Sequence, residues 1–461
     1  MKQKIYRILF SPLLLQLFLL FLFFIKANPF LNSKKIILGL MGVSVVWGAI
    51  FSIYVIIKNR KELLRNKYAW VLLAFIVSYL ITIIANYPNS FVDNVKDVIW
   101  FSVQIIALFL AQFYILQEQK DNNVKLLAKF YLAFATVFAS ISLIFVFINK
   151  GGVESYGKWG FLSKRLFGLY RSPNYGALYC VIAIIIAAGI YTSLSKQLKC
   201  FAIFNVLVNY LYIVYSGSNT GKVTLFTGII VFACINILSS DNRKQLATKM
   251  LAYTVVIVFC FSMFPAIKFV TANILNSKIS RHETDSDMSE SALDSDGDDY
   301  IISFERTDYV EGEEYGNGRL TNWKNSIKVF HNKAVFGTSL RAYNTVSNNL
   351  FPDSPEYKKV FSLENDFMSL LVCCGITGLV VFVLFILLSL CRLITILYSL
   401  LKNKEYKKLE KLSLPFAIIS LVTASAFFTD AIVFTNVLQS MIFWIFLGYL
   451  LSYKYKQEEN S

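Results

Sequence analysis

Histidine is almost missing from this chain: His282 and His331 are the only two in 461 residues. Charge is scarce as well, at 16% of residues against 56% hydrophobic ones. Cysteine occurs seven times (Cys180, Cys200, Cys234, Cys260, Cys373, Cys374 and Cys391), always in or beside an apolar run. No cysteine or histidine spacing suits zinc, and no disulfide framework is visible. These cysteines read as small buried hydrophobes. A basic soluble domain is absent, so no nucleic acid is expected as a partner. No internal repeat is found. The tract Glu283 to Glu314 holds thirteen Asp/Glu with Arg306 as its only base. Its fragment Asp294-Ser-Asp-Gly-Asp-Asp299 fails the calcium-loop spacing. It reads as a solvated segment, and no metal site is assigned.

What the chain has in excess is hydrocarbon. Mean hydropathy is +0.55 and 16% of residues are aromatic, too apolar for a soluble multidomain protein. Apolar runs of about 20 residues match a hydrocarbon core ~30 Å thick. Twelve spans are expected, near residues 8–25, 36–57, 68–85, 98–116, 126–148, 174–194, 198–215, 221–238, 249–270, 376–400, 412–429 and 434–452. The first follows Met1-Lys-Gln-Lys and lacks a clean cleavage site, so it reads as an uncleaved span. Residues 366–375 read as a short half-helix or a surface segment leading in at Gly375. The fold class is therefore an all-α polytopic membrane protein with one large polar loop. Residues 1–270 hold spans one to nine, 271–365 form the loop, and 366–461 hold the half-helix and the last three spans.

Basic residues set the orientation. Lys58 to Lys67 and Lys402 to Lys411 carry five each, and smaller clusters share their side if the N-terminus is cytoplasmic. Both termini are then cytoplasmic and the loop is external. The net charge of +16 is mostly this topology signal. One external segment breaks the rule. Lys150 to Pro173 carries Lys150, Lys158, Lys164, Arg165 and Arg171 against Glu154 alone. It either snorkels to lipid phosphate or binds an anionic ligand.

Three polar motifs fall on that external side. In Lys164-Arg-Leu-Phe-Gly-Leu-Tyr-Arg-Ser-Pro-Asn174, Ser172 and Asn174 are cap residues and Pro173 suits a first turn. Arg165 and Arg171 offer bidentate donors for phosphate, and Gly168 would let backbone pass close to a ligand. In Tyr215-Ser-Gly-Ser-Asn-Thr-Gly-Lys222, Ser218 is a cap and Lys222 sits one turn into a span, where charge needs a partner. The order fails the nucleotide P-loop pattern, and a plain hairpin is equally open. The third motif is split. Gly318 to His331 has apolar residues at 320, 323, 327 and 330, a helical spacing with Arg319 at its start and Trp323, Lys324, Lys328 and His331 along it. Ser362-Leu-Glu-Asn-Asp366 precedes the half-helix; Glu364, Asn365 and Asp366 are either caps or, for a carboxylate at a membrane edge, a base.

At these residues the chain resembles the O-antigen polymerase and ligase superfamily of bacterial envelope glycosyltransferases. Arg165, Gly168, Pro173 and Asn174 match its Arg-x-x-Gly…Pro-Asn pattern. Ser216, Ser218, Asn219, Thr220 and Gly221 match its turn, and Gly318, Arg319, Trp323 and Gly337 its Gly-Arg…Trp…Gly stretch. Two departures stand out. Asn219 and Lys222 occupy a turn that usually carries Arg, and Glu364-Asn365 replaces His-Asn. The second departure leans toward a polymerase rather than a ligase.

The resemblance implies a GT-C-like fold, multi-pass in the bacterial cytoplasmic membrane, and a metal-independent, cofactor-free glycosyltransferase. Its donor and acceptor would be undecaprenyl-diphosphate-linked oligosaccharides, with membrane lipids and a chain-length regulator and flippase of the same pathway as partners. Arg165, Arg171 and Arg319 would hold the diphosphate, with Glu364 as base and His331 as its rival. Asn174, Ser218, Lys222, Trp323 and Asn365 would help to bind substrate. A ligase, a glycan transporter or a non-catalytic scaffold are the other readings. Few charges lie at the midplane of the spans, which argues against ion-coupled transport.

Overall fold

A computed structural model describes residues 6, 8–32, 35–155, 157–285, 319–352 and 363–453. Helices α1 (Pro12–Ala27), α2 (Lys35–Lys58), α3 (Lys67–Ala85), α4 (Phe91–Tyr114) and α5 (Gln117–Phe147) come first. A three-stranded antiparallel sheet follows, with β1 (Gly151–Glu154), β2 (Gly157–Leu162) and β3 (Arg165–Gly168) in that spatial order. Then come α6 (Pro173–Ile190), α7 (Lys196–Ser216), α8 (Asn219–Leu238) and α9 (Arg243–Asp285). After these run α10 (Arg319–Asn332), α11 (Tyr343–Leu350), α12 (Asp366–Lys402), α13 (Tyr406–Ser425) and α14 (Leu438–Leu451).

The chain is a helical, multi-pass membrane protein. Among the described residues nine helices, α2 to α9 and α12, are long and apolar enough to cross a membrane. The other three expected spans differ for local reasons. Helix α1, 16 residues long, is cut short by its Ser11 cap, with Pro12 in the first turn, and by Asn28. Helix α14 has 14 residues, because an irregular loop precedes it. Helix α13 begins with Lys407, Lys408 and Lys411. In the other direction α9 runs on to Asp285, well past the expected end near residue 270, because no glycine or proline follows Pro265 in it. The acidic tract beyond Asp285 and residue Gly318 lie outside the described residues. Cysteine placement also needs correcting: Cys180, Cys373 and Cys374 are buried, but Cys200, Cys234 and Cys391 are exposed on the outer faces of helices.

Among the described residues the sheet is the one departure from an all-α fold. Its polar, glycine-spaced sequence pairs Gly151 with Gly160 and Leu162 with Arg165. Strand β3 is fully buried. Ser142 of α5 accepts a hydrogen bond from the Leu169 amide at 2.9 Å, and Tyr212 of α7 donates to the Phe167 carbonyl at 2.9 Å. Gly168, at φ 62°, serves this packing rather than a ligand: a Cβ there would lie 2.2 Å from the Ser142 side chain.

Helix α12 breaks where the sequence places the end of a half-helix. Gly375 has φ 66° and ψ −173° inside it. The break releases backbone groups that the segment after α10 takes up. Thr338 and Ser339 amides donate to the Val372 and Cys373 carbonyls, while the Ile376 amide donates to Ala334 O. Gly337 and Gly375 make the approach possible, since a Cβ on Gly375 would stand 2.4 Å from Val335 O. Gly375→Ala is therefore expected to destabilise the fold by ~1–3 kcal/mol through the positive φ alone, and by more through the clash. A thermal-unfolding midpoint in detergent equal to wild type would show that the junction can yield.

Candidate active site

The polar motifs gather at one end of the bundle, and many of the basic span ends gather at the other. At the basic end, Lys120 donates to Ser452 Oγ at 2.9 Å, Lys249 to Asn236 O at 2.8 Å and Arg392 to Tyr453 O at 2.9 Å. The opposite end holds three connected groups of residues.

The first group joins the two motifs around α6 and α8. Arg165 is buried in β3. Its Nε donates to Ser216 O at 3.0 Å, at the end of α7, and its guanidinium reaches Asn174 Oδ1 at 3.2 Å. Ser218 Oγ donates to the same Asn174 oxygen at 2.8 Å and accepts from the Gly221 amide at 3.0 Å, capping α8. One guanidinium thus ties a strand, a helix end and two helix starts together. A cation at the last carbonyls of α7 also answers the helix dipole. Lys222, one turn into α8, lies over the Phe264 ring of α9 at 5.7 Å.

The second group joins α10 to the start of α12. Arg319 donates through Nε and a terminal nitrogen to Glu364 Oε2, at 2.7 and 2.5 Å. Trp323 Nε1 donates to Leu363 O at 2.9 Å. Glu364 has φ 47°, in the left-handed region that favours glycine. Asn365 accepts from the Phe367 and Met368 amides and so caps α12. His331 is not brought to this group. It lies exposed at the far end of α10, twelve residues from Arg319, roughly 18 Å along the helix at 1.5 Å per residue.

The third group was not legible as a motif. Two cavities of about 270 and 360 Å³ adjoin, sharing Tyr175 and Asn436 in their linings. The larger holds Lys26 and Arg171, and the smaller holds Arg341, Asp366 and Asp430. Lys26 feels the like charges of Arg171 and Arg341 and the opposite charge of Asp97. It donates to Asn436 O at 3.0 Å and also to the Asn436 side-chain oxygen. The Arg171 amide donates to Ala27 O at 3.1 Å, which keeps the two cations side by side. Arg341 is bidentate to Asp97, at 2.6 and 3.0 Å, and this pair raises its already high pKa. Tyr175 in turn feels the carboxylates of Asp430, Glu364 and Asp366.

The loop between α13 and α14 supplies one wall, and it is heavily fastened. Asp366 Oδ2 accepts from the Ala431 and Ile432 amides at 2.9 and 2.6 Å. Gln104 donates to Thr435 O at 2.8 Å from a stretch where α4 widens to a π turn. Phe434 stacks on Tyr79 with centroids 4.0 Å apart and on Phe75 at 5.6 Å. Such a wall is held before any ligand arrives, which favours electrostatic work at fixed geometry.

The result is a polytopic helical protein with a charged, partly enclosed site at one end of its bundle. Residues 204–383 match the family model described as O-Antigen ligase. That match supports the O-antigen ligase and polymerase superfamily, whose members are glycosyltransferase-like enzymes that act on lipid-linked glycans. It takes in the Ser216–Lys222 turn, α10 and Glu364 to Asp366, while Lys26, Arg165, Arg171, Tyr175 and Asp430 lie outside it. No curated protein matches the chain.

Proposed function

We propose that the protein polymerises undecaprenyl-diphosphate-linked oligosaccharide repeats into O-antigen or capsular polysaccharide at the outer leaflet of the bacterial cytoplasmic membrane. The observation that carries this reading is the adjoining pair of cavities, with cations Lys26, Arg171 and Arg341 meeting carboxylates Glu364, Asp366 and Asp430 around Tyr175. A diphosphate leaving group needs fixed positive charge, and a sugar hydroxyl nucleophile needs a base.

In this reading Arg171 and Lys26 hold the diphosphate. Arg319 orients Glu364 through Oε2 and adds positive charge beside it. Glu364 takes the proton of the acceptor hydroxyl as its oxygen bonds to the anomeric carbon. The bond from that carbon to the phosphate oxygen breaks, and the electron pair leaves with the lipid diphosphate. Arg165 acts at one remove, by setting the start of α6 that carries Asn174 and Tyr175. Arginine and lysine supply the charge stabilisation that a metal gives other phosphoryl and glycosyl transfer sites.

The ligase reading has the family description in its favour, and the glycan itself separates the two. In a host lacking the protein, a product one repeat long indicates a lost polymerase. Intact polymer stranded on the lipid carrier indicates a lost ligase and overturns the proposal.

Topology is the companion prediction. With both termini cytoplasmic, residues 271–365 face outward. A cysteine replacing Ser286 should react with an impermeant maleimide in intact cells or spheroplasts. Reaction only after the membrane is opened would invert the site and remove the mechanism.

A further inference from the structure

The two cavities divide charge in a way a simple anion site does not need. One carries Lys26 and Arg171. The other, about 270 Å³, carries Arg341, Asp366 and Asp430 together with neutral groups that bind hydroxyls, Asn344, Ser369, Thr435 and Asn436, and has the Tyr175 ring on one side. Asn344 Oδ1 is buried and has no hydrogen-bond partner among the described residues. Tyr175 and Asn436 form the boundary between the cavities, and Lys26 holds Asn436 there.

A glycosyl diphosphate has the same division. On one side of its anomeric C–O bond is a ring bearing hydroxyls, and on the other are phosphate oxygens. We infer that the cavity of Tyr175, Asn344, Ser369, Asp430 and Asn436 is the subsite for the donor's first sugar, the ring bonded directly to the diphosphate. This rests on the reading above, in which the donor is a lipid-diphosphate-linked glycan. It places the anomeric carbon at the Tyr175–Asn436 boundary, within reach of cations on the leaving-group side.

The lining also selects. Carboxylate and amide oxygens accept from sugar hydroxyls or from an acetamido N–H. Asp430 lines the subsite, and the guanidinium beside it, Arg341, is already bidentate to Asp97, so a uronic acid would set its charge against Asp430 with that cation engaged elsewhere. The subsite therefore takes a neutral hexose or N-acetylhexosamine. Because its wall is the fastened loop from Asp430 to Asn436, selection does not await a closing movement.

The experiment uses the full chain in lipid nanodiscs and three probes: bare polyprenyl diphosphate, its N-acetylglucosaminyl form and its glucuronyl form. The wild type should bind the N-acetylglucosaminyl lipid about ten- to a hundredfold more tightly than the bare one, the scale of one or two hydrogen bonds to a charged or amide group. The glucuronyl lipid should gain nothing. Asp430→Asn and Ser369→Ala should each erase most of the gain while binding the bare lipid no more weakly, which also shows that the variants fold. Equal wild-type affinity for bare and N-acetylglucosaminyl lipid would overturn the subsite and leave the diphosphate reading in place. So would full preference retained in both variants. Failure of the wild type to bind any of the three would overturn the function and the subsite together.

Discussion

Glu364→Gln is expected to lower turnover by ~10²–10⁴-fold, the usual worth of a general base, while lipid-linked substrate still binds. The substitution keeps the shape of the side chain and removes its basicity. It also keeps a side-chain oxygen for Arg319, which reaches Oε2 at 2.7 Å. The position is unusual for a structural residue. Its φ of 47° is a conformation that costs a non-glycine residue energy, and its side chain is half-exposed rather than buried. Neighbouring contacts, Trp323 to Leu363 O and the Asn365 cap, hold the backbone in that state. Purified protein with synthetic lipid-linked repeats gives the measurement. Normal turnover in Glu364→Gln, with loss in His331→Ala, would transfer the role to the histidine despite its distance along α10.

Arginine replacement should produce the next largest effects, for two separate reasons. Arg319→Lys replaces a two-pronged grip on one carboxylate oxygen with a single point charge. Losing one such charge-assisted contact, worth roughly 1.5–3 kcal/mol, would slow turnover about ten- to a hundredfold. The effect should largely vanish in the Glu364→Gln background, because the pair acts as a unit. Arg165→Lys should lose most activity as well, through position. A lysine cannot hold Ser216 O and Asn174 Oδ1 together in one plane, so the start of α6 shifts and Tyr175 with it. Polymer length on a gel, at matched expression, reads both. Wild-type ladders from both variants would reduce these arginines to anchors of the fold.

Much of this site was readable one motif at a time. Arg165, Asn174 and Ser218 stood out because caps, a proline and cations cluster at helix starts, and α6 and α8 do begin there. Arg319, Trp323 and Glu364 stood out because polar residues border an apolar half-helix. What they do for one another was not readable. The sequence presents Arg165 as a hydrogen-bond donor for phosphate in an external segment, whereas the buried strand β3 turns its guanidinium onto a helix end.

Lys26, Arg341 and Asp430 escaped the motif search for a related reason. Each is a single charge at the end of a span or in a turn, with no local period around it, and such residues usually just mark the membrane edge. Lys26 and its partner Asn436 are 410 positions apart. The sequence alone determined that this is a polytopic helical protein, where the nine long apolar helices among its described residues lie, and that its polar motifs fall at one end. Hydrocarbon thickness and the alternation of basic loops dictate those things residue by residue. Only the tertiary structure decided which charges meet, because the packing of α1, α6 and the loop before α14 brings together chain ends that no local spacing relates.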